Sequence, residues 1–256
     1  MMDEHEIKHL LDQKLLEFNG FGFIGADPVS IPHRYSRKED IEIAGLLAAT
    51  ISWGRRDLIV RAAGRMMDLL WDAPFDFVMN ANERELAPLE HFVYRTFQGP
   101  DLRSLVLGLR DIYTEEGGLE QLMRLDSDDQ DTLNGIVRLR TKMLSTPTFA
   151  ARTAKHLADP SAGSSAKRLN MYLRWMVRKD NAGVDFGIWE TIRPDQLICP
   201  LDVHTGNVGR KLGLLTRKQN DWKAALELTH ALRRLDPVDP VKYDFSLFGL
   251  GIYEGF

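Results

Sequence analysis

The 256-residue sequence predicts an all-α protein, on three observations. Apolar residues recur three and four positions apart along most of the chain, the spacing of one helix face. Runs in which β-branched and polar residues alternate, the mark of a half-buried strand, are scarce. The breakers fall between the periodic segments: Gly20-Phe-Gly22, Asp27-Pro28, Ile31-Pro32, Thr146-Pro147, Asp159-Pro160, Cys199-Pro200, Asp236-Pro237 and Asp239-Pro240. At 44% apolar and 27% charged residues the chain has the balance of an ordinary globular protein.

Helices are expected, in order, over 3–18, 38–51, 55–70, 73–79, 101–116, 118–125, 132–144, 149–157, 165–177, 203–212, 221–235 and 240–250. The first is acidic and amphipathic, unlike the basic start and apolar run of a secretion signal. The longest apolar stretch, Ile43 to Trp53, is bounded by Glu42 and Arg55 and is about half the ~20 residues a spanning helix needs. No membrane span is therefore expected, and the expected location is cytoplasmic. The single cysteine, Cys199, excludes an internal disulfide framework and any four-cysteine zinc or iron–sulfur site.

The net charge of −4 argues at first against nucleic acid. The charge is unevenly placed, however. Residues 1–150 carry 17 Lys and Arg against 25 Asp and Glu, and residues 151–256 carry 16 against 12, so −8 precedes +4. Between Arg152 and Lys179 lie Lys155, Lys167, Arg168, Arg174 and Arg178 with one acid, Asp159. On charge alone, a phosphate-binding surface and an ordinary solvated helix face are equal readings.

The same stretch has the shape of a helix-hairpin-helix. One helix ends near Leu157, a turn of Asp159-Pro160-Ser161-Ala162-Gly163-Ser164 follows, and a second begins near Ser165. Small turn residues allow close approach, and the N–H groups at the second helix's start suit phosphate. Any two packed helices can be joined by such a turn. Lys167 lies near that helix's first turn, where the dipole opposes its charge and favours the neutral, nucleophilic amine. The alternative is a plain solvated lysine. Asp202, after Pro200, is placed to cap a helix starting at Val203. Asp202 and His204 could also be two metal ligands, but no third follows at usable spacing, so no metal is expected. Gly206 and Gly209 inside that helix imply close approach of a neighbour.

Asp202-x-His204-x-x-x-Val208-x-x-x-Leu212-Gly213-Leu214 resembles the aspartate-bearing helix of the helix-hairpin-helix DNA glycosylases. Ile41 to Ser52 is similar to the first long helix of that superfamily's barrel, and Tyr243 to Gly251 to its final helix. Ala166-Lys167, 35 positions before Asp202, resembles the arrangement of the archaeal-type 8-oxoguanine enzymes, within a conserved bacterial family of similar length. The turn departs from the usual L-P-G-V-G, keeping one glycine, and the superfamily's arginine on the aspartate helix is Asn207 here.

The resemblance implies two helical layers flanking a cleft: residues 38–184 as a barrel ending in the hairpin, and residues 1–37 with 185–256 as a layer built from both chain ends. It implies a base-excision glycosylase with AP-lyase activity on an oxidised base such as 8-oxoguanine. Lys167 would be the nucleophile and Asp202 its partner. Gly163, Ser164, Ser165, Arg168, Arg55 and Arg56 would hold damaged duplex DNA, and Trp53, Trp175 and Phe245 would wall the base pocket, unless those aromatics are core residues. It further implies a nucleoid-associated monomer needing no cofactor and no iron–sulfur cluster. Two other readings stay open: a catalytically inactive nucleic-acid-binding protein on the same scaffold, and a helical scaffold for protein partners.

Overall fold

A computed structural model describes residues 2–256. Its helices are α1 (Glu4–Phe18), α2 (Phe21–Ile24), α3 (Lys38–Thr50), α4 (Arg56–Leu69), α5 (Pro74–Asn80), α6 (Glu83–Leu86), α7 (Gly99–Glu115), α8 (Leu119–Met123), α9 (Leu133–Ser145), α10 (Lys167–Val177), α11 (Val203–Lys211), α12 (Trp222–Leu235) and α13 (Tyr243–Tyr253). Among the described residues the protein is all-α apart from one two-stranded antiparallel hairpin, β1 (Val93–Tyr94) and β2 (Phe97–Gln98), with Tyr94 opposite Phe97. Among the described residues no helix is long and apolar enough to cross a membrane.

Helix boundaries follow local chemistry. Asp3 and Glu6 form a reciprocal capping box that starts α1. The expected helix at 165 begins instead at Lys167, because Ala166 holds a left-handed φ of +48°. The segment expected as a helix over 149–157 is a 3₁₀ turn, Ala151–His156, a common form for short connectors. Pro240–Lys242 is likewise 3₁₀ before α13 begins. The hairpin and the four-residue helices α2 and α6 are too short for a periodic signal, and sequence reading missed them.

The chain divides into two compact units. One contains residues 26–126 and 134–158. Its centre is α3, buried from Ile41 through Thr50, and an all-round apolar helix is a core helix. The charged exception is Glu42, which accepts a hydrogen bond from the Tyr113 hydroxyl at 2.6 Å.

The other unit contains residues 2–25, 127–133 and 159–256, so both ends of the described chain meet in it. Here α13 packs on α1 and α11. Tyr243 donates to Asp12 at 2.8 Å and Ser246 to the Leu11 carbonyl at 2.7 Å, stitching α13 to α1. Gly249 makes the close approach possible: a Cβ there would sit 2.1 Å from the Phe18 ring. Sequence reading drew the second boundary at 184, whereas packing draws it at 158. The reason lies in α10, whose last carbonyls take the N–H groups of Phe186, Ile188 and Trp189 and whose Arg174, like Arg178 just after the helix, pairs with acids beyond residue 179.

Candidate functional site

The site lies in the unit that holds α10, α11 and α13. Ser164 Oγ accepts from the Ala166 N–H at 3.2 Å, and the left-handed Ala166 then turns the chain into α10, making Lys167 its first residue. Ser165 donates to the Leu201 carbonyl at 3.3 Å, which ties the start of α10 to the residue preceding Asp202. Asp202 caps α11: its Oδ1 accepts from the Thr205 N–H at 3.0 Å, while Asn220 donates to its carbonyl at 3.1 Å.

The second carboxylate oxygen is then free to turn toward α10. Lys167 Nζ stands 3.8 Å from Asp202 Oδ2, and both side chains are about a quarter exposed. The pair is in ionic contact but longer than a hydrogen bond. A neighbouring amine and carboxylate at a solvent-accessible edge supply a nucleophile and a proton acceptor. Close approach at α11 is also present, since a Cβ on Gly206 would lie 2.8 Å from the Asn220 side chain that holds Asp202.

A second carboxylate belongs to this neighbourhood. Asp244 of α13 is buried, and burial pushes its carboxyl up to about 6 against the attraction of Arg174 and Lys167. Burial and Asp244 together hold the Cys199 thiol well above its ordinary range. Sequence reading missed Asp244. The available signal was a lone acid in the apolar run Tyr243-Asp-Phe-Ser-Leu-Phe, since a buried charge requires a partner.

That partner is Arg174, which corrects the expected positive surface. Arg174 donates to Asp244 and, at 3.2 Å, to Asp185; Arg178 reaches Asp185 at 3.0 Å and Asp239 at 2.9 Å, and it also pairs with Asp180. Both guanidiniums are almost wholly buried. Their counter-charges follow residue 179 in sequence, so a count over 152–179 could not register them. Burial raises the carboxyls of Asp185 and Asp239 despite this pairing.

The hairpin turn is largely self-satisfied. The N–H of Gly163 bonds the Pro160 carbonyl, that of Ser164 the Asp159 carbonyl, and that of Ala162 the Asp159 carboxylate. The Gly163 carbonyl accepts from Trp222, and Ser164 forms an isolated bridge with Asp221. Arg217 holds the Asp221 carboxyl down to about 2. Gly163 and Ser164 are exposed, whereas Ser165 and Arg168 are half-buried, and burial lowers the Arg168 guanidinium. Trp175 and Phe245 are core residues, with Arg174 over the Phe245 ring at 4.0 Å. Trp53, Arg55 and Arg56 belong to the other unit. Among the described residues no group of three or more His, Cys, Asp or Glu is placed to hold a metal.

A family model described as a protein of unknown function, DUF2400, matches residues 27–253. No curated protein and no solved structure matches the chain.

Proposed function

The chain belongs to the DUF2400 family, whose family model matches most of its length, and on that premise we propose that it is a DNA N-glycosylase with AP-lyase activity on an oxidised base such as 8-oxoguanine. The observation that carries this reading is the 3.8 Å approach of Lys167 Nζ to Asp202 Oδ2, two residues 35 positions apart held by separate helix starts. The resemblance of the Asp202 helix to that of the helix-hairpin-helix glycosylases supplies the reaction class.

In this mechanism a damaged nucleotide is flipped out of its duplex toward the pair. Asp202 Oδ2 takes the ammonium proton, and the neutral amine attacks the deoxyribose C1′. The new C–N bond forms as the glycosidic bond breaks, and the base leaves with the bonding electrons and takes up a proton. Ring opening gives a Schiff base on Lys167, from which loss of a C2′ proton and of the 3′ phosphate cleaves the strand. Proton transfer needs Lys167 to move about 0.8 Å closer, to ordinary hydrogen-bond distance.

Borohydride reduction in the presence of duplexes carrying oxidised bases tests the reading. A covalent protein–DNA adduct is expected for the native chain and none for Lys167→Gln. Absence of an adduct across a panel of oxidised bases and abasic sites, or an adduct that survives Lys167→Gln, overturns it.

A further inference from the structure

The first helix carries a donor pair that the Lys167 chemistry does not use. Residues 5–9 of α1 read His-Glu-Ile-Lys-His, and two side chains four apart on a helix share one face, with Cβ atoms about 5–6 Å apart. At that spacing two imidazoles can reach one metal ion, which is why helical zinc sites use a His-Glu-x-x-His pattern. The buried side of α1 is set by Ile7 and Leu11, so His5 and His9 fall on the opposite, exposed side. Both line one open concavity together with Met2, Glu6, Leu10 and Gln13. Among the described residues neither imidazole has a hydrogen-bond, ion-pair or ring partner. His156, by contrast, is buried and stacked on Trp53, which Tyr94 meets edge-on.

The backbone beneath the pair is held from two sides. Asp3 and Glu6 cap the first turn reciprocally, each accepting from the other's N–H at 2.8 Å. Further along, Tyr243 and Ser246 of α13 donate to Asp12 and to the Leu11 carbonyl. The two donors are therefore spaced before an ion arrives, and binding does not have to order the helix that carries them. The positive end of the helix opposes a cation, and the acids Asp3, Glu4 and Glu6 at that end offset it. Lys8 pairs with Asp12 and Arg234 with Glu4, so both cations have counter-charges of their own.

We infer that His5 and His9 form a two-imidazole site for a divalent transition metal on the exposed face of α1, with water completing the coordination. Imidazole donors favour Cu²⁺ over Ni²⁺ and Zn²⁺, and all three over the oxygen-seeking Mg²⁺ and Ca²⁺. Glu6 stands where a helical zinc peptidase carries its general base, but its carboxylate is engaged at the Asp3 N–H. No third His, Cys, Asp or Glu joins the pair among the described residues. The arrangement is one for binding: an ion held by both rings staples the start of α1 and favours the folded chain by mass action.

Calorimetric titration of the full chain with CuCl₂, ZnCl₂ and MgCl₂ in a non-chelating buffer tests this. No DNA is present, so the readout is separate from the chemistry of Lys167. One Cu²⁺ per chain is expected to bind ahead of any other, Zn²⁺ more weakly, and Mg²⁺ without measurable heat. The second imidazole binds intramolecularly once the first has engaged, so His5→Asn and His9→Asn should each weaken Cu²⁺ binding by about tenfold or more. Electron paramagnetic resonance of the Cu²⁺-loaded native chain should show two nitrogen donors, and that of either variant one. Cu²⁺ should also raise the melting temperature of the native chain and not that of the double variant. Both substitutions are at exposed positions, and metal-free melting curves confirm that the variants are folded. No Cu²⁺ binding by the native chain, Mg²⁺ binding as tight as that of Cu²⁺, or undiminished Cu²⁺ binding by either variant overturns the inference.

Discussion

Asp202 divides its carboxylate between two tasks: Oδ1 caps α11 at the Thr205 N–H, 3.0 Å away, while Oδ2 faces Lys167 Nζ at 3.8 Å. The cap fixes the rotamer, so the second oxygen's direction is set by the helix and not by the ion pair. The arrangement is pre-organised in the sense that the structural bond orients the reactive atom.

Substitution separates these tasks. Asparagine caps a helix as well as aspartate does, so Asp202→Asn keeps the Thr205 bond, and its stability should stay within about 1 kcal/mol of the native chain. Asp202→Ala loses the cap and should cost about 1 kcal/mol more. Both should reduce adduct formation with damaged DNA by about 10² or more, because neither accepts the lysine proton. Urea melts paired with single-turnover trapping check this. An Asp202→Asn protein with native trapping kinetics would leave the carboxylate a purely structural role.

Arg174 is the hinge of the buried charge cluster, since it faces both Asp185 and Asp244. Truncating it takes the ion-pair partner from the buried Asp244 and leaves Asp185 to Arg178 alone, and breaking a buried pair by removing one partner typically costs about 3–5 kcal/mol. Arg174→Ala should therefore lower the denaturation midpoint sharply, and far more than Arg55→Ala, whose partner Asp57 is at the surface. Equal, small losses in the two variants would show that the cluster is not held as described.

The helix-end positions of Lys167 and Asp202 were readable locally, a lysine after Ala166 at a helix head and an aspartate after Cys199-Pro200-Leu201 at the next, whereas their pairing was expected from the resemblance alone. Helix ends are written in short-range chemistry. The charge cluster was not readable, because Arg174 and Arg178 find their partners at Asp180, Asp185, Asp239 and Asp244, and no window along the chain joins them. The same limit hid the ring packing around Trp53, a residue that the sequence did single out. It is assembled from a loop, a hairpin of two-residue strands and a 3₁₀ turn, none long enough to show a period.

Asp244 gives the protein a pH-dependent stability term of predictable sign. Its carboxyl is pushed up to about 6 in the folded chain from an ordinary 3.8, so between those values the folded state binds the proton that the unfolded state has released. Stability from this group is then greatest at the acid end and falls as pH rises toward 6, above which the loss is constant. Asp185 and Asp239 shift in the same direction, but they are common to the native chain and to Asp244→Asn. The difference in unfolding free energy between those two proteins should therefore move in favour of Asp244→Asn as pH rises from 4 to 6, and then level off. Chemical denaturation at intervals across that range reads it; a difference that is flat or runs the other way rejects the assignment.

Gly249 reports on the seam between α1 and α13. An alanine Cβ there would lie 2.1 Å from Phe18 Cδ2 and 2.4 Å from Cγ, too near the root of the ring for a simple rotation to relieve. Phe18 is also stacked on Tyr253 at 5.5 Å, so displacing it disturbs a second contact on the same helix. Overpacking of this kind costs about 1–3 kcal/mol. At Gly22, by contrast, nothing lies within 4 Å of the place an alanine methyl would take and φ is not left-handed, so Gly22→Ala should be close to neutral. Thermal melts of the two alanine variants should separate by several degrees. If Phe18→Ala, introduced together with Gly249→Ala, fails to recover any of the clash energy, the close approach of Phe18 to Gly249 is not what limits that position.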